Sequence, residues 1–244
     1  MQLNFSKLFH RQSKAHSLID SDPKGEDGLP DHWKTRFYKK YEKMPRLALP
    51  KTDARLPVFE TIARRKSART FNKQPLTLEE LSQILQYSCG ELPPTSEGRV
   101  RRAHPSGGGR YPIEAYVLVL TASPTLPAGV YHYNIQDHSL DVLWQRTFYL
   151  KDVQGLFLYD WIENASVAIV LTSTFNRSQG KYGERGYRYC LLEAGHIGQN
   201  FYLTSEALGV GCCAMGGTHD EALEEFLQID GVTESVVYSL ILGK

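Results

Sequence analysis

The chain has 244 residues, a formal net charge of +1, 41% hydrophobic residues and 23% charged residues. That length suffices for one large domain or two small ones with a sizeable core, and the near-zero charge excludes the global basic field that nucleic acid or an anionic membrane would require. No run approaches the roughly 18 apolar residues of a membrane span, and the opening MQLNFSKLFHRQSK lacks the apolar core of a secretion signal, which predicts a cytosolic chain.

Residues 1–50 are charged, proline-punctuated and without sustained periodicity, which predicts an arm lying over a body or a partner subunit; residues 51–244 read as the folded domain. In LPVFETIARRKSARTF, Val58, Phe59, Ile62 and Ala63 recur at helical spacing ahead of a basic cluster. LTLEELSQILQYS opens with Thr77 followed three residues later by Glu80, a capping box, and Leu78, Leu81, Ile84, Leu85 and Ser88 then mark one face. EAYVLVLTA predicts a buried strand, GVYHYNIQDHSLDVL two strands around a turn at Gln136-Asp137, and ASVAIVLTST a further buried strand. The longest helix is expected from about Tyr182 to Leu208, with small residues on its apolar face, as a core helix or a dimer seam. GVGCCAMGG then predicts a strand into a glycine turn, HDEALEEFL a short helix and SVVYSLIL a last strand. Interleaved helices and hairpins predict an α+β fold with a mostly antiparallel central sheet flanked by helices.

The four cysteines, Cys89, Cys190, Cys212 and Cys213, form no C-x-x-C pair and no zinc spacing with histidine, so they read as small buried residues and no metal is expected. His132, His138 and His196 read as structural histidines, and no G-x-S-x-G motif supports a serine nucleophile.

Three segments carry candidate chemistry. RRKSART places Arg65, Lys66, Ser67 and Arg69 at the end of one helix, donors suited to a phosphate and equally to a solvated helix terminus favoured by the dipole. HPSGGGRYP packs three glycines between two prolines, either a surface turn or a loop whose bare backbone approaches a ligand. It has neither the G-K-[ST] ending of a phosphate loop nor G-x-G-x-x-G before a helix. AMGG, Ala214–Gly217, follows a strand and offers a backbone amide.

Their order resembles the FMN-dependent nitroreductase-like family, in which two subunits interlock and each flavin lies at the dimer interface. That resemblance implies Arg65, Lys66, Ser67 and Arg69 at the flavin phosphate and ring edge, and Pro105, Ser106, Gly107 and Gly109 contributed by the other subunit of a homodimer. It also implies Met215, Gly216 and Gly217 along the reactive face and Lys244, the last residue, as the remaining cation near the phosphate. KYGERGYRYCLLEAGHIGQNFYLTSEALGVG, PSGGGRYPIEAYVLV, GVYHYN and the early FHRQSK further resemble the SagB-type azoline dehydrogenases, a likeness spanning residues 56–243 and a fragment of the arm. The resemblance implies oxidation of thiazoline or oxazoline rings to azoles, with Lys181 and Tyr182 as the catalytic pair, and a cyclodehydratase, synthetase or carrier-bound intermediate as partner.

The residue types suit that reaction. Azole formation removes a carbon-bound proton and a hydride; the flavin accepts the hydride, oxygen reoxidises it, and a base takes the proton. A lysine serves as base once burial or a neighbouring cation, here Arg185 by its place in the sequence, lowers its pKa from about 10.4. Alternatives are a flavin-dependent desaturase of peptides or cyclic dipeptides, a nicotinamide-driven nitro or quinone reductase, and a flavin-free scaffold subunit.

Overall fold

The computed structural model describes Phe9, residues 37–50 and residues 58–244. Most of the arm, including FHRQSK beyond Phe9, lies outside the described residues. The elements follow in the order β1 (Arg46–Ala48), α1 (Val58–Arg64), α2 (Leu78–Cys89), β2 (Glu91–Leu92), β3 (Arg101–Arg102) and β4 (Ile113–Val119). Next come β5 (Gly129–Asn134), β6 (Ser139–Gln145), α3 (Leu150–Leu156), β7 (Val167–Thr174), α4 (Asn176–Tyr182), α5 (Arg185–Ala207), β8 (Gly211–Met215), α6 (Asp220–Leu227) and β9 (Glu234–Gly243).

Seven strands form one sheet in the order β1-β6-β5-β4-β7-β9-β8, and every pair is antiparallel. The α+β architecture expected from the sequence is present. Every residue of β4 is buried, because its two sides face different cores. Ile113, Ala115, Val117 and Val119 point into a cluster with Leu81, Ile84 and Leu85 of α2 and Ala194, Ile197 and Phe201 of α5. Tyr116 and Leu118 point the other way, toward Val153 and Leu156 of α3 and Leu223 and Leu227 of α6. From Ala115 onward β4 therefore reads as a continuous apolar run, with no alternation to betray its faces.

The Thr77 capping box forms: Thr77 Oγ1 accepts from Glu80 N at 3.1 Å, and Glu80 Oε2 accepts from Thr77 N at 2.8 Å. Two donors of the first turn are thereby satisfied, a contribution of about 1 kcal/mol to helix stability. The hairpin between β5 and β6 turns where expected, with Asn134 Oδ1 accepting from Asp137 N at 3.2 Å. All four cysteines are free and buried.

One expectation changes, and one helix face is left uncovered by the described residues. The long helix does not begin at Tyr182: α4 ends there, Gly183 adopts φ +55°, and α5 starts afresh at Arg185. The apolar residues of α1 do not face the chain's own core. Val58, Phe59 and Ile62 are 53%, 85% and 51% exposed, and Thr61 is the buried residue of that helix.

Candidate active site

The basic segment does not continue α1. Beyond Arg64 the chain runs extended beside β8, with Ala68 N donating to Cys212 O at 2.9 Å and Ser67 bridging Cys212 in parallel register. Extended backbone alternates its side chains, so Arg65, Ser67 and Arg69 share one edge. Tyr202 of α5 organises that edge. Its ring carries the Arg65 guanidinium at 5.2 Å, and its hydroxyl bonds Ser67 Oγ at 2.8 Å and accepts from Ala214 N at 2.7 Å. Arg69 acts on Cys213, opposing the upward shift that burial imposes on that thiol.

β8 delivers Met215 buried, and the chain then turns outward at exposed Gly216, where a side chain would meet open space. Gly217 is different: its carbonyl accepts from Leu158 N at 3.0 Å, and a Cβ there would lie 2.7 Å from the Tyr159 ring. A cation and hydroxyl strip beside an open glycine turn suits an anionic, flat cofactor. Lys66 is exposed on the same segment. Lys244 pairs with Glu80 at 2.6 Å, while its carbonyl accepts from Asn72 N.

The glycine loop builds a second set. Ser106 Oγ accepts from Tyr111 N at 2.8 Å and Ser106 O accepts from Gly109 N at 3.0 Å, closing the loop between exposed Pro105 and buried Arg110. Gly107 packs on Tyr189, where a Cβ would lie 3.3 Å from the ring. Gly108 adopts φ +63°, a left-handed conformation that side chains resist, and its missing Cβ leaves room for two groups. A Cβ there would collide with the Tyr182 hydroxyl and lie 3.1 Å from Lys181 Nζ. The loop and the Lys181–Tyr182 pair, separated by seventy residues of sequence, thus form one surface.

The pair is held from several sides. Tyr182 and Tyr189 meet edge to face at 5.0 Å, and Lys181 Nζ lies 5.3 Å from the Tyr182 ring centre. Burial, then the Arg110 charge, hold the Lys181 amine below its ordinary pKa. Burial, then Tyr189, push the Tyr182 hydroxyl up, while Arg110 opposes. The cation that acts on Lys181 is therefore Arg110, across space, and not the sequence neighbour Arg185, which donates to Tyr189 Oη at 3.1 Å.

Beneath this surface, Arg177 of α4 donates to the Tyr111 carbonyl at 3.0 Å and to the Glu114 carboxylate. Glu114 also bonds His132 Nε2 at 2.9 Å. Burial alone would raise Glu114, yet Arg177 and His132 hold it down at about 2. His132 is raised against its burial by Asp141 and Glu114. It is a structural histidine, as its sequence context predicts, whereas His196 is exposed on α5.

The two sets do not meet within the chain. Tyr189 and Tyr202 both belong to α5 and lie about 20 Å apart along its axis at 1.5 Å per residue. Sequence spacing puts Tyr202 on the apolar face of the long helix without a role at the site, and marks neither Tyr189 nor Arg177. Arg110 ends the glycine run, but nothing in the spacing announces the α4 carbonyl that it binds.

Residues 62–244 match the model of the nitroreductase family. The chain belongs to that family. It is 31% identical over 170 residues to a putative nitroreductase of Methanocaldococcus jannaschii, covering 70% of this chain and 83% of that protein. It is 29% identical over 232 residues to the trifolitoxin-processing protein TfxB of Rhizobium leguminosarum bv. trifolii, covering 90% of this chain and 61% of TfxB, so it spans less than two thirds of that relative. Its fold superposes with a TM-score of 0.62 on a chain of the Escherichia coli microcin synthetase McbBCD complex with truncated pro-MccB17 bound, at 21% identity over 98% of this chain and 91% of that one. The nitroreductase-like fold and the likeness to a processing protein are those that the sequence motifs implied, and the chain is an oxidoreductase by family. No helix among the described residues is long and apolar enough to cross a membrane.

Proposed function

We propose that the protein is an FMN-dependent azoline dehydrogenase that converts thiazoline or oxazoline rings of a peptide to azoles, working as a homodimer with a ring-forming synthetase as partner. The observation that carries this reading is the convergence of Lys181 Nζ and the Tyr182 hydroxyl on the bare backbone of Gly108. A base with a lowered pKa and a phenol that stays protonated are thereby brought together where the loop carries no side chain.

Arg65, Ser67 and Arg69 would hold the FMN phosphate and ring edge, with Lys66 and Lys244 as further cations and Met215, Gly216 and Gly217 beside the ring. Bound FMN supplies the hydride acceptor. Lys181, neutral above its lowered pKa, takes the ring carbon's proton onto Nζ. Tyr182 stays protonated at neutral pH, so its hydroxyl donates to the substrate or orients the amine. Pro105, Ser106, Gly107 and Gly109 would close over the cofactor from the second subunit. The roughly 20 Å that α5 puts between Tyr189 and Tyr202, and so between the two sets, supports that arrangement. The resemblance to TfxB, itself a toxin-processing protein, supports a peptide substrate.

The test is a visible spectrum of the purified protein followed by anaerobic addition of a thiazoline-containing peptide. A flavin band that bleaches with the peptide and returns with oxygen supports the dehydrogenase. Bleaching by NADH or NADPH alone moves the assignment to a nitro or quinone reductase, and a colourless protein that refuses FMN leaves a scaffold subunit. Lys181→Ala with bound flavin unchanged and full oxidation would remove Lys181 as the base.

A further inference from the structure

We propose that Arg110 is a positioning residue for the proton transfer at Lys181, and that Phe37 of the N-terminal segment is its cover. The inference rests on the reading of Lys181 as the base and adds two residues to it.

Arg110 is 3% exposed at the end of the glycine loop. Its Nε donates to the carbonyl of Arg177 at 2.9 Å, and Arg177 belongs to the first turn of α4, the helix that ends in Lys181 and Tyr182. One hydrogen bond therefore joins the loop that touches the amine to the helix that carries it. The guanidinium also lies 5.2 Å from the Phe37 ring centre, and that ring carries Arg177 at 5.6 Å as well. Phe37 is fixed in turn, since its carbonyl accepts from Arg102 at 3.3 Å. An aromatic ring over a cation attracts it and excludes water from its face, so the charge of Arg110 reaches the site through a poorly screened medium.

The groups around the amine divide the work. Tyr182 and Arg177 come from α4, Tyr189 and Arg185 from α5, and Arg110 from the loop. Arg177 is turned to the Glu114 carboxylate and Arg185 to the Tyr189 hydroxyl. Arg110 acts on both members of the pair, favouring the neutral amine of Lys181 and opposing the upward shift of the Tyr182 hydroxyl. A cation there disfavours a second positive charge, which shifts the Lys181 amine toward its neutral form.

The experiment reads the protonation of Lys181 directly, without flavin turnover. Competitive acetylation of the full-length protein with acetic anhydride is followed across pH by mass spectrometry, giving the labelling midpoint of Lys181 against the surface lysines. The wild-type midpoint is expected below those of the surface lysines, higher in Arg110→Met, and unchanged in Arg110→Lys, which keeps the charge. In turnover, kcat/KM of Arg110→Met on the acid limb falls about tenfold for each unit by which the midpoint rises, and recovers at high pH. A midpoint that does not move in folded Arg110→Met overturns the proposal. Should that variant fail to fold, Phe37→Ala decides: hydrating the guanidinium raises the midpoint part of the way, and an unmoved midpoint overturns the proposal equally. A midpoint that moves as expected in a protein that never oxidises an azoline removes the functional reading while leaving the role of Arg110 standing.

Discussion

The hydroxyl of Ser67 lies 2.8 Å from that of Tyr202, and through it the basic segment is tied to the end of β8. Tyr202 Oη also accepts from Ala214 N at 2.7 Å, so a single side chain sets the spacing between Arg65–Arg69 and the glycine turn. Tyr202→Phe keeps the ring under Arg65 and removes both bonds. Stability is expected to fall by about 1–3 kcal/mol, the net value of two typical hydrogen bonds. Bound flavin should dissociate several-fold more readily from the variant in equilibrium dialysis. Unchanged retention would show that Tyr202 does not organise the cofactor edge.

How far the sequence speaks is clear from particular elements. Thr77 and Glu80 announced the start of α2 because a capping box is local, its two bonds lying within four residues. The strands were legible because β4 and β7 are buried on both sides and so run largely apolar, Glu114 and the end of β7 from Thr172 excepted. Val58, Phe59 and Ile62 mark a helix face correctly, but helical period says only that residues share a face, not whether the same chain covers it. Gly183 split the expected helix because its left-handed backbone is decided by how α4 and α5 pack, and YGERG carries no proline to announce it. Arg185 was the cation nearest Lys181 in sequence and Arg110 is the one that acts, a relation only tertiary structure creates.

Gly108 has a specific cost of substitution. Gly108→Ala meets two obstacles, the left-handed φ of +63° and the collision of its Cβ with Tyr182. Gly98→Ala meets only the first, since Gly98 has φ +74° and nothing within 4 Å of its Cβ position. Both should lose about 1–2 kcal/mol to backbone strain in thermal or urea unfolding. Only Gly108→Ala is expected to lower kcat, by displacing the hydroxyl. Equal turnover in the two variants would dissociate the loop from the catalytic pair.

The buried Glu114–His132 pair ties stability to pH from both sides. Glu114 is depressed to about 2, so its contribution is present above the unfolded value near 4.3 and lost as pH falls toward 2. His132 is raised, so its contribution is present below the unfolded value near 6.5 and lost as pH climbs through its folded pKa. His132→Leu leaves Glu114 beside Arg177 with one donor fewer, and is expected to destabilise by about 3–5 kcal/mol, the range for breaking a buried pair. Urea unfolding at pH 5, 7 and 9 checks the sign. The gap between wild type and variant should narrow at pH 9, and a gap that widens there would assign His132 a neutral role.

If α5 does separate the two halves of one site between two subunits, then two inactive variants should rescue one another. Arg65→Ala with Arg69→Ala damages only the cofactor half, and Lys181→Ala only the half that carries the base. A mixed dimer would pair the intact cofactor half of the second chain with the intact base of the first, while its other site carries both lesions. Unfolding and refolding an equimolar mixture makes half of the dimers mixed, each with one good site, so azoline oxidation should return to about a quarter of wild type in a twofold-symmetric assembly. A site completed within a single chain offers no such route, since every copy then carries a lesion in its own machinery and the mixture stays as inactive as its parts. The distance between Tyr189 and Tyr202 on one rigid helix is the reason to expect rescue.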